Sequence, residues 1–338
     1  MDDSRIKKLS QQLEVPCLIE QEADLLYLTG LSLSKGRLLV GPEPMLFVDG
    51  RYYEKARKSA PCAVARWEEQ KGIGEKRLGF DSAVVTYDGY LSLRKEIPDK
   101  EWIPMSNPVR ELRAIKEPKE IALLKKAADL TWRGYQKVVE MLKVGVSEEE
   151  LAVEFEFFCR RNGASGMSFK PIIAFGENSA YPHHRAGKSR LNKDQVVLVD
   201  VGAIVDDYCA DMTRIFYFGK PDPRIVHFER IVKEAGKKAI ALVRPGIRAK
   251  EVDQVVHNEF DRANVKQLYI HSLGHGIGLE AHEYPRIRVD GADRDVILKP
   301  GMVFTIEPGL YQPGVGGVRI EDMVLVTETG CENFFAHA

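Results

Sequence analysis

Residues 195–218 read QVVLVDVGAIVDDYCADMTRIFYF, two apolar runs that each enclose one carboxylate, Asp200 in VVLVDVGAIV and Asp211 in YCADMTRIF. Taking an unpaired carboxylate out of water costs several kcal/mol or forces it to bind a proton, so buried acids in such runs are paired or hold a metal. The β-branched and aromatic residues predict two strands, and Asp206–Asp207 predicts a tight hairpin turn. Two registers are open. With Val205–Asp206 as the loop, Asp200 and Asp211 face each other directly. With Asp206–Asp207 as the loop, Asp200 opposes Thr213 and Asp211 lies diagonally beside it on the same face. Either way the carboxylates converge at about 5–8 Å, near enough to share a cation. A structural ion pair with two basic residues elsewhere is the competing reading of the hairpin alone.

The chain around this hairpin has 338 residues, long for one core, which predicts two domains. Its 49 Lys and Arg balance 50 Asp and Glu, with no basic block and no acidic tail, which excludes nucleic acid as an expected partner. The opening MDDSRIKKLSQQ lacks an apolar segment of signal-peptide length, and no run of about 18 apolar residues could span a membrane. The expectation is a soluble, cytoplasmic protein with no membrane partner. The five cysteines are scattered and have no C-x-x-C spacing, which argues against a disulfide framework or a thiolate zinc site; Cys209 reads as a buried thiol on the same side of its strand as Asp211.

Upstream, short strands alternate with helices. VPCLIE, DLLYL, CAVARW and RLGFD read as strands, RLLVGPEPMLFVDG as two strands about a Gly-Pro-Glu-Pro turn, and Arg51 to Ser59 and TYDGYLSLRKEI as helices. This N-terminal region contains no histidine, which makes it a poor place for an active site. A boundary falls near ELRAIKEPKE, residues 111–120, and divides the chain into 1–115 and 116–338. Pro118 opens a helix to about Leu142, Ser147 and Glu150 form a capping box for a second that Gly163 closes, Asp222–Pro223 starts a third to about Val243, and 249–263 form a fourth.

Two segments repeat. GVSEEELAVEFEFFCRRN (145–162) and GIRAKEVDQVVHNEFDRA (246–263) align at an offset of 101, and DQVVLVDVG (194–202) aligns with GMVFTIEPG (301–309) at an offset of 107, which places Glu307 on Asp200. The unit is a helix followed by a carboxylate-bearing strand, and its double use predicts a pseudo-two-fold domain. The second copy ends in GGVRIEDMVLV, where alternation puts Arg319, Glu321 and Met323 on one face. Between the halves lies HSLGHGIGLEAHEYPR, whose glycines 274, 276 and 278 allow His275 to reach the acids from a tight turn. Its G-x-G-x-G lacks the spacing and strand-to-helix context of a nucleotide loop. Two Asp, one His and two Glu exceed what one catalytic ion with an open position takes, so two ions fit better. Oxygen-rich donors favour Mn(II), with Co(II) or Zn(II) as alternatives.

The order Asp200, Asp211, His275, Glu307, Glu321, within HGIGLEAHE, TIEPG and VRIEDMVLVT, resembles the dinuclear pita-bread metallopeptidases, nearest the Xaa-Pro aminopeptidases and prolidases. DGRYYEKA and ELRAIKEPKEIALLKKA resemble the same family's creatinase-like N-terminal domain and the entry to its catalytic domain. The resemblance implies an α+β fold, with a smaller α/β creatinase-like domain at 1–115 and a pita-bread catalytic domain at 116–338. It implies metal ligation by Asp200, Asp211, His275, Glu307 and Glu321, with Asp211 and Glu321 bridging two divalent ions. His183, His282, Glu307 and Arg319 are its implied catalytic residues, Tyr311 and His271 its substrate-binding ones, and His184 a neighbour only. The activity implied is a hydrolase: a metal-dependent Xaa-Pro aminopeptidase acting on peptides with proline in second position through a metal-activated water, with Xaa-Pro dipeptidase (prolidase) as the alternative and a non-catalytic binding protein as the remote one. Homodimers or larger homo-oligomers are common in the family. His227, His257 and His337 read as structural or solvent-facing.

Overall fold

The computed structural model describes residues 4–336, so His337 lies outside the described residues. The chain divides into two compact units, 1–113 and 114–338. In the first, β1 (Cys17–Ile19), β2 (Gly36–Val40), β3 (Met45–Val48), β4 (Ala63–Arg66), β5 (Arg77–Asp81) and β6 (Glu101–Met105) form a mixed sheet in the order β4-β3-β2-β1-β5-β6. Helices α1 (Ser4–Gln12), α2 (Glu22–Thr29), α3 (Tyr53–Ser59), α4 (Tyr87–Glu96) and α5 (Arg110–Ala114) accompany it. One element differs from the sequence expectation: DLLYL lies in α2, not in a strand. Asp24, Leu25, Tyr27, Leu28 and Thr29 are all buried there, so the helix has no polar stripe to reveal its period. Asp24 is neutralised by Arg113 at 2.8 Å, and Gly30, in the left-handed region at φ 71°, ends the helix.

The second unit opens with α6 (Pro118–Glu140) and α7 (Glu148–Arg161), followed by β7 (Gly166–Met167), β8 (Ile172–Phe175), β9 (Gln195–Val201), β10 (Ala203–Val205), β11 (Tyr208–Cys209) and β12 (Met212–Phe218). It continues with α8 (Pro223–Leu242), α9 (Ala249–Arg262), β13 (Gly274–Gly276), β14 (Glu283–Ile287), β15 (Val303–Ile306), β16 (Gly309–Gln312), β17 (Gly316–Arg319), β18 (Asp322–Val326) and β19 (Cys331–Asn333). The sheets run β11-β10-β7, β12-β9-β8, β14-β13-β15-β18-β19 and β16-β17.

The repeat is written into the backbone. Ser147 bridges Arg190 and Arg248 bridges Ile297. The amides of Gly145, Glu148 and Leu191 donate to the carbonyls of Leu191, Ser189 and Val146, just as those of Gly246, Ala249 and Leu298 donate to Leu298, Val296 and Ile247. Every pair is displaced by the offsets of 101 and 107 seen in the sequence. Both second helices also carry a capping box, closed by Glu150 and by Glu251. Each copy therefore packs a helix pair on its own strands. Val197, Val199 and Val201 join the core beneath α6 and α7, while Phe304 and Ile306 join the core beneath α8 and α9. Alternation along β9 turns Asp200 away from the core that Val199 and Val201 enter.

Candidate metal centre and its cavity

The hairpin adopts the second of the two registers. Asp200 pairs with Thr213 in β9–β12, and Val205 pairs with Tyr208 across the two-residue loop Asp206–Asp207. Both loop residues have positive φ, 46° and 72°, as a twist-compatible hairpin turn requires. Between the hairpin's two stretches of pairing the strands touch so closely at Gly202 that a Cβ there would lie 2.0 Å from the Ala210 carbonyl oxygen. His275 comes from the middle of β13, not from a tight turn. The flanking glycines still serve close approach: a Cβ on Gly274 would stand 1.9 Å from the Thr305 carbonyl oxygen, and one on Gly276 would stand 2.3 Å from that of Tyr284.

These elements bring the four acids and the imidazole to one cavity of about 580 Å³, which Asp200, Asp211, His275, Glu307 and Glu321 all line. Donor atoms of Asp211, His275 and Glu321 lie within 4.8 Å of one another. His275 Nε2 is 3.5 Å from Glu307 Oε1 and 3.7 Å from Asp211 Oδ2. Its Nδ1 lies 3.1 Å from the Gly276 carbonyl oxygen; a proton held there leaves the Nε2 lone pair facing the acids, the tautomer a metal needs. Burial, helped by His282, lowers the His275 pKa to about 3, so the ring is neutral.

The acids carry the opposite strain. Burial pushes Glu321 up to about 8, with Asp200 adding to it. Burial and then Glu321 hold Asp211 and Glu307 well above the usual carboxylate range. Among the described residues no donor reaches the buried Asp200 Oδ1, Asp211 Oδ1 or Glu321 Oε1. Buried polar atoms rarely go unpaired. Three such carboxylate oxygens, on residues that share a cavity with a neutral imidazole, are a donor set that divalent cations fit.

One cation is already supplied by the chain. Arg319 donates from Nη2 to Asp200 Oδ2 at 2.5 Å, from Nε to Thr213 Oγ1 at 3.0 Å and from Nη1 to the Tyr311 hydroxyl at 2.6 Å. The Thr213 hydroxyl in turn donates to Glu321 Oε2 at 2.7 Å. Tyr311 is 3% exposed and is absent from the cavity lining, unlike the substrate contact expected of it. Its hydroxyl lies 2.9 Å from His271 Nε2, and His271 Nδ1 lies 2.8 Å from the Ser272 carbonyl oxygen. Burial, then Arg319, lowers the His271 pKa to about 4. Tyr311 thus orders the wall behind the cavity, while His271 lines it.

His183 and His282 both line the cavity. The His282 ring packs on His275 at 4.2 Å between centroids, and burial followed by Arg286 lowers its pKa. His184 also lines the cavity, but its Nε2 is taken by the buried Glu148 at 2.8 Å. His227 is exposed on α8, and His257 lies 3.6 Å from Asp253 on α9. Sequence reasoning missed Thr213 and Arg286. In the sequence Thr213 marks only the hairpin register, although its place opposite Asp200 is what puts it between Arg319 and Glu321. Arg286 pairs with His275 across β13–β14 and so shares its face; nothing but that pairing marks it out.

The fold and the acid-rich centre define a metallopeptidase. The chain belongs to metallopeptidase family M24, whose model matches residues 122–328, and the creatinase/prolidase N-terminal domain matches residues 5–115. It is 35% identical to a Xaa-Pro dipeptidase of Pyrococcus horikoshii over 93% of this chain and 90% of that protein. Among solved structures, a Xaa-Pro dipeptidase from Bacillus anthracis superposes with a TM-score of 0.94 at 33% identity, covering 98% of this chain and 97% of that one. An X-Pro aminopeptidase from Thermotoga maritima superposes at 0.88 and 29% identity, covering 97% of each chain. These likenesses carry the pita-bread α+β architecture expected from the sequence. Among the described residues no helix is long and apolar enough to cross a membrane.

Proposed function

We propose that this chain is a Xaa-Pro dipeptidase, hydrolysing dipeptides with proline in second position at a centre of two divalent ions held by Asp200, Asp211, His275, Glu307 and Glu321, with residues 116–338 as the catalytic domain and 1–115 as a separate N-terminal domain. This reverses the order of preference set by the sequence, which put an aminopeptidase first. The observation that carries it is the distribution of charge around the cavity. Beside the acids, Arg286 is the cross-strand neighbour of His275 in the β13–β14 ladder, and Lys170 and Arg185 also line the cavity. A dipeptide is a zwitterion whose carboxylate follows directly on the proline ring, and a cation beside the centre suits it. The names of the similar dipeptidases support the same reading. The Thermotoga likeness supports the second reading, an aminopeptidase that accepts longer peptides.

Ions bound there would make a water acidic enough to attack near neutral pH. Glu307, partly exposed to the cavity, is placed to take a proton from a water bound there. His282 stabilises charge developing on the scissile carbonyl oxygen. His183 binds the substrate's peptide group, and the acids of the cavity attract its free amine. Arg319 acts at one remove, directly on Asp200 and through Thr213 on Glu321, and Tyr311 aims Arg319 and His271. Proline offers no amide proton, so its ring shape is what the cavity can read. Manganese, a cytoplasmic location and a homo-oligomer belong to the same proposal. The first rests on the oxygen-rich donors, the second on five cysteines that are all thiols, and the third on family resemblance. The test is a manganese-loaded assay on a Xaa-Pro dipeptide beside a Xaa-Pro-Xaa tripeptide. Dipeptide cleavage supports the proposal, and cleavage of the tripeptide alone restores the aminopeptidase reading.

A further inference from the structure

Lys116 and Glu283 form an ion pair at 3.1 Å whose side chains are 1% and 4% exposed, and neither residue lines the cavity. The backbone of Lys116 is fixed: its amide donates to the Gly301 carbonyl at 2.8 Å, and Ile115 bridges Met302. Glu283 follows His282 immediately and opens β14. Its Oε1 accepts from the Glu280 amide at 3.1 Å, while Oε2 receives the Lys116 ammonium. The same carboxylate fills the space over Gly278, where a Cβ would stand 2.6 Å from Oε2. Gly278 in turn accepts from the Cys209 amide at 2.7 Å, two residues before Asp211. One carboxylate therefore closes the loop 278–282, and the last residue of that loop is His282.

A buried ion pair is weak evidence of a stability device. Desolvation offsets most of its attraction, and well-packed apolar side chains often hold a core as well; stranding one partner is what destabilises. What apolar substitutes cannot do is tie a loop amide to a fixed point on another element. We propose that Lys116 and Glu283 are positioning residues for His282, setting its ring against His275 and toward the cavity. The consequence for rate rests on the reading of His282 as the group that stabilises the scissile carbonyl.

The test compares Lys116→Met, Lys116→Arg and the double variant Lys116→Met/Glu283→Leu. The readouts are thermal midpoint, the Cε1–H NMR resonance of His282 in metal-free protein (assigned with His282→Gln), and kcat and KM on a Xaa-Pro dipeptide. Lys116→Met is expected to lower the midpoint because it strands Glu283, and Lys116→Arg to keep wild-type values. The double variant is expected to recover the midpoint but to retain a displaced His282 resonance and a kcat lower by about tenfold to a hundredfold, with KM little changed. Recovery of resonance and kcat together with the midpoint would overturn the proposal, leaving the pair a matter of stability only. A displaced resonance with undiminished kcat would keep the positioning and overturn the role given to His282.

Discussion

The Arg319 guanidinium and the Asp200 carboxylate meet at 2.5 Å in the wall of the cavity, so one of the four converging acids has its charge answered by the chain itself. Among the described residues no donor reaches the other Asp200 oxygen, Oδ1, nor Asp211 Oδ1 or Glu321 Oε1, all on residues that line the same cavity. The centre is therefore built for more positive charge than the protein provides.

Thr213 is the hinge of that arrangement, because its hydroxyl accepts from Arg319 and donates to Glu321. Thr213→Val keeps the shape and strands both partners. We expect it to cost about 1–3 kcal/mol of stability in denaturant titration and to weaken metal binding about tenfold to a hundredfold in calorimetry. Unchanged affinity would mean that Glu321 needs no such orientation.

Metal removal should make stability depend on pH in a defined sense. Glu321 is raised to about 8, and Asp211 and Glu307 are raised as well, in the metal-free fold. Below about pH 4 these carboxyls are protonated in folded and unfolded chains alike. As pH rises toward 8 the unfolded chain releases protons that the fold retains, so metal-free stability falls by about 1.4 kcal/mol per pH unit for each retained proton. Bound metal replaces those protons. Metal-free protein should lose thermal midpoint from pH 5 to 8 relative to loaded protein, and metal binding at pH 7 should release protons in buffers of different ionisation enthalpy. A flat metal-free profile would contradict the burial of these acids.

His275→Ala and Glu307→Ala should each abolish metal-dependent hydrolysis and leave the circular dichroism spectrum of the fold in place. Both side chains face the cavity, and their loss removes a donor without opening the cores on either side. Full activity in either variant would reject the assignment of the centre.

Arg286→Met should raise KM for a Xaa-Pro dipeptide by about tenfold to a hundredfold, the worth of one charge-assisted contact, and change tripeptide cleavage far less. Equal effects on both substrates would show that Arg286 does not read the carboxylate.

Much of this protein is legible in its sequence because its information is local. Carboxylates inside apolar runs, a two-residue polar turn, helix caps and a repeat at offsets of 101 and 107 all follow from short-range periodicity, and they lead to the helices, the doubled unit and the acid centre. The α2 helix is not legible there because burial on several sides erases its period, and the strand that carries His275 is not because glycine signals close approach without saying which element makes it.

What only the tertiary structure decided is which side chains answer one another across long gaps in the chain. Tyr311 reads as a substrate contact until Arg319 and His271 are seen to consume its hydroxyl. Arg286 gains meaning from the strand opposite it, and Lys116 from a carboxylate 167 residues away. Hydrophobic patterning determines where a chain is buried. The partner of each buried charge is set by three-dimensional closure, because the cost of leaving it unpaired is paid only once the water is gone.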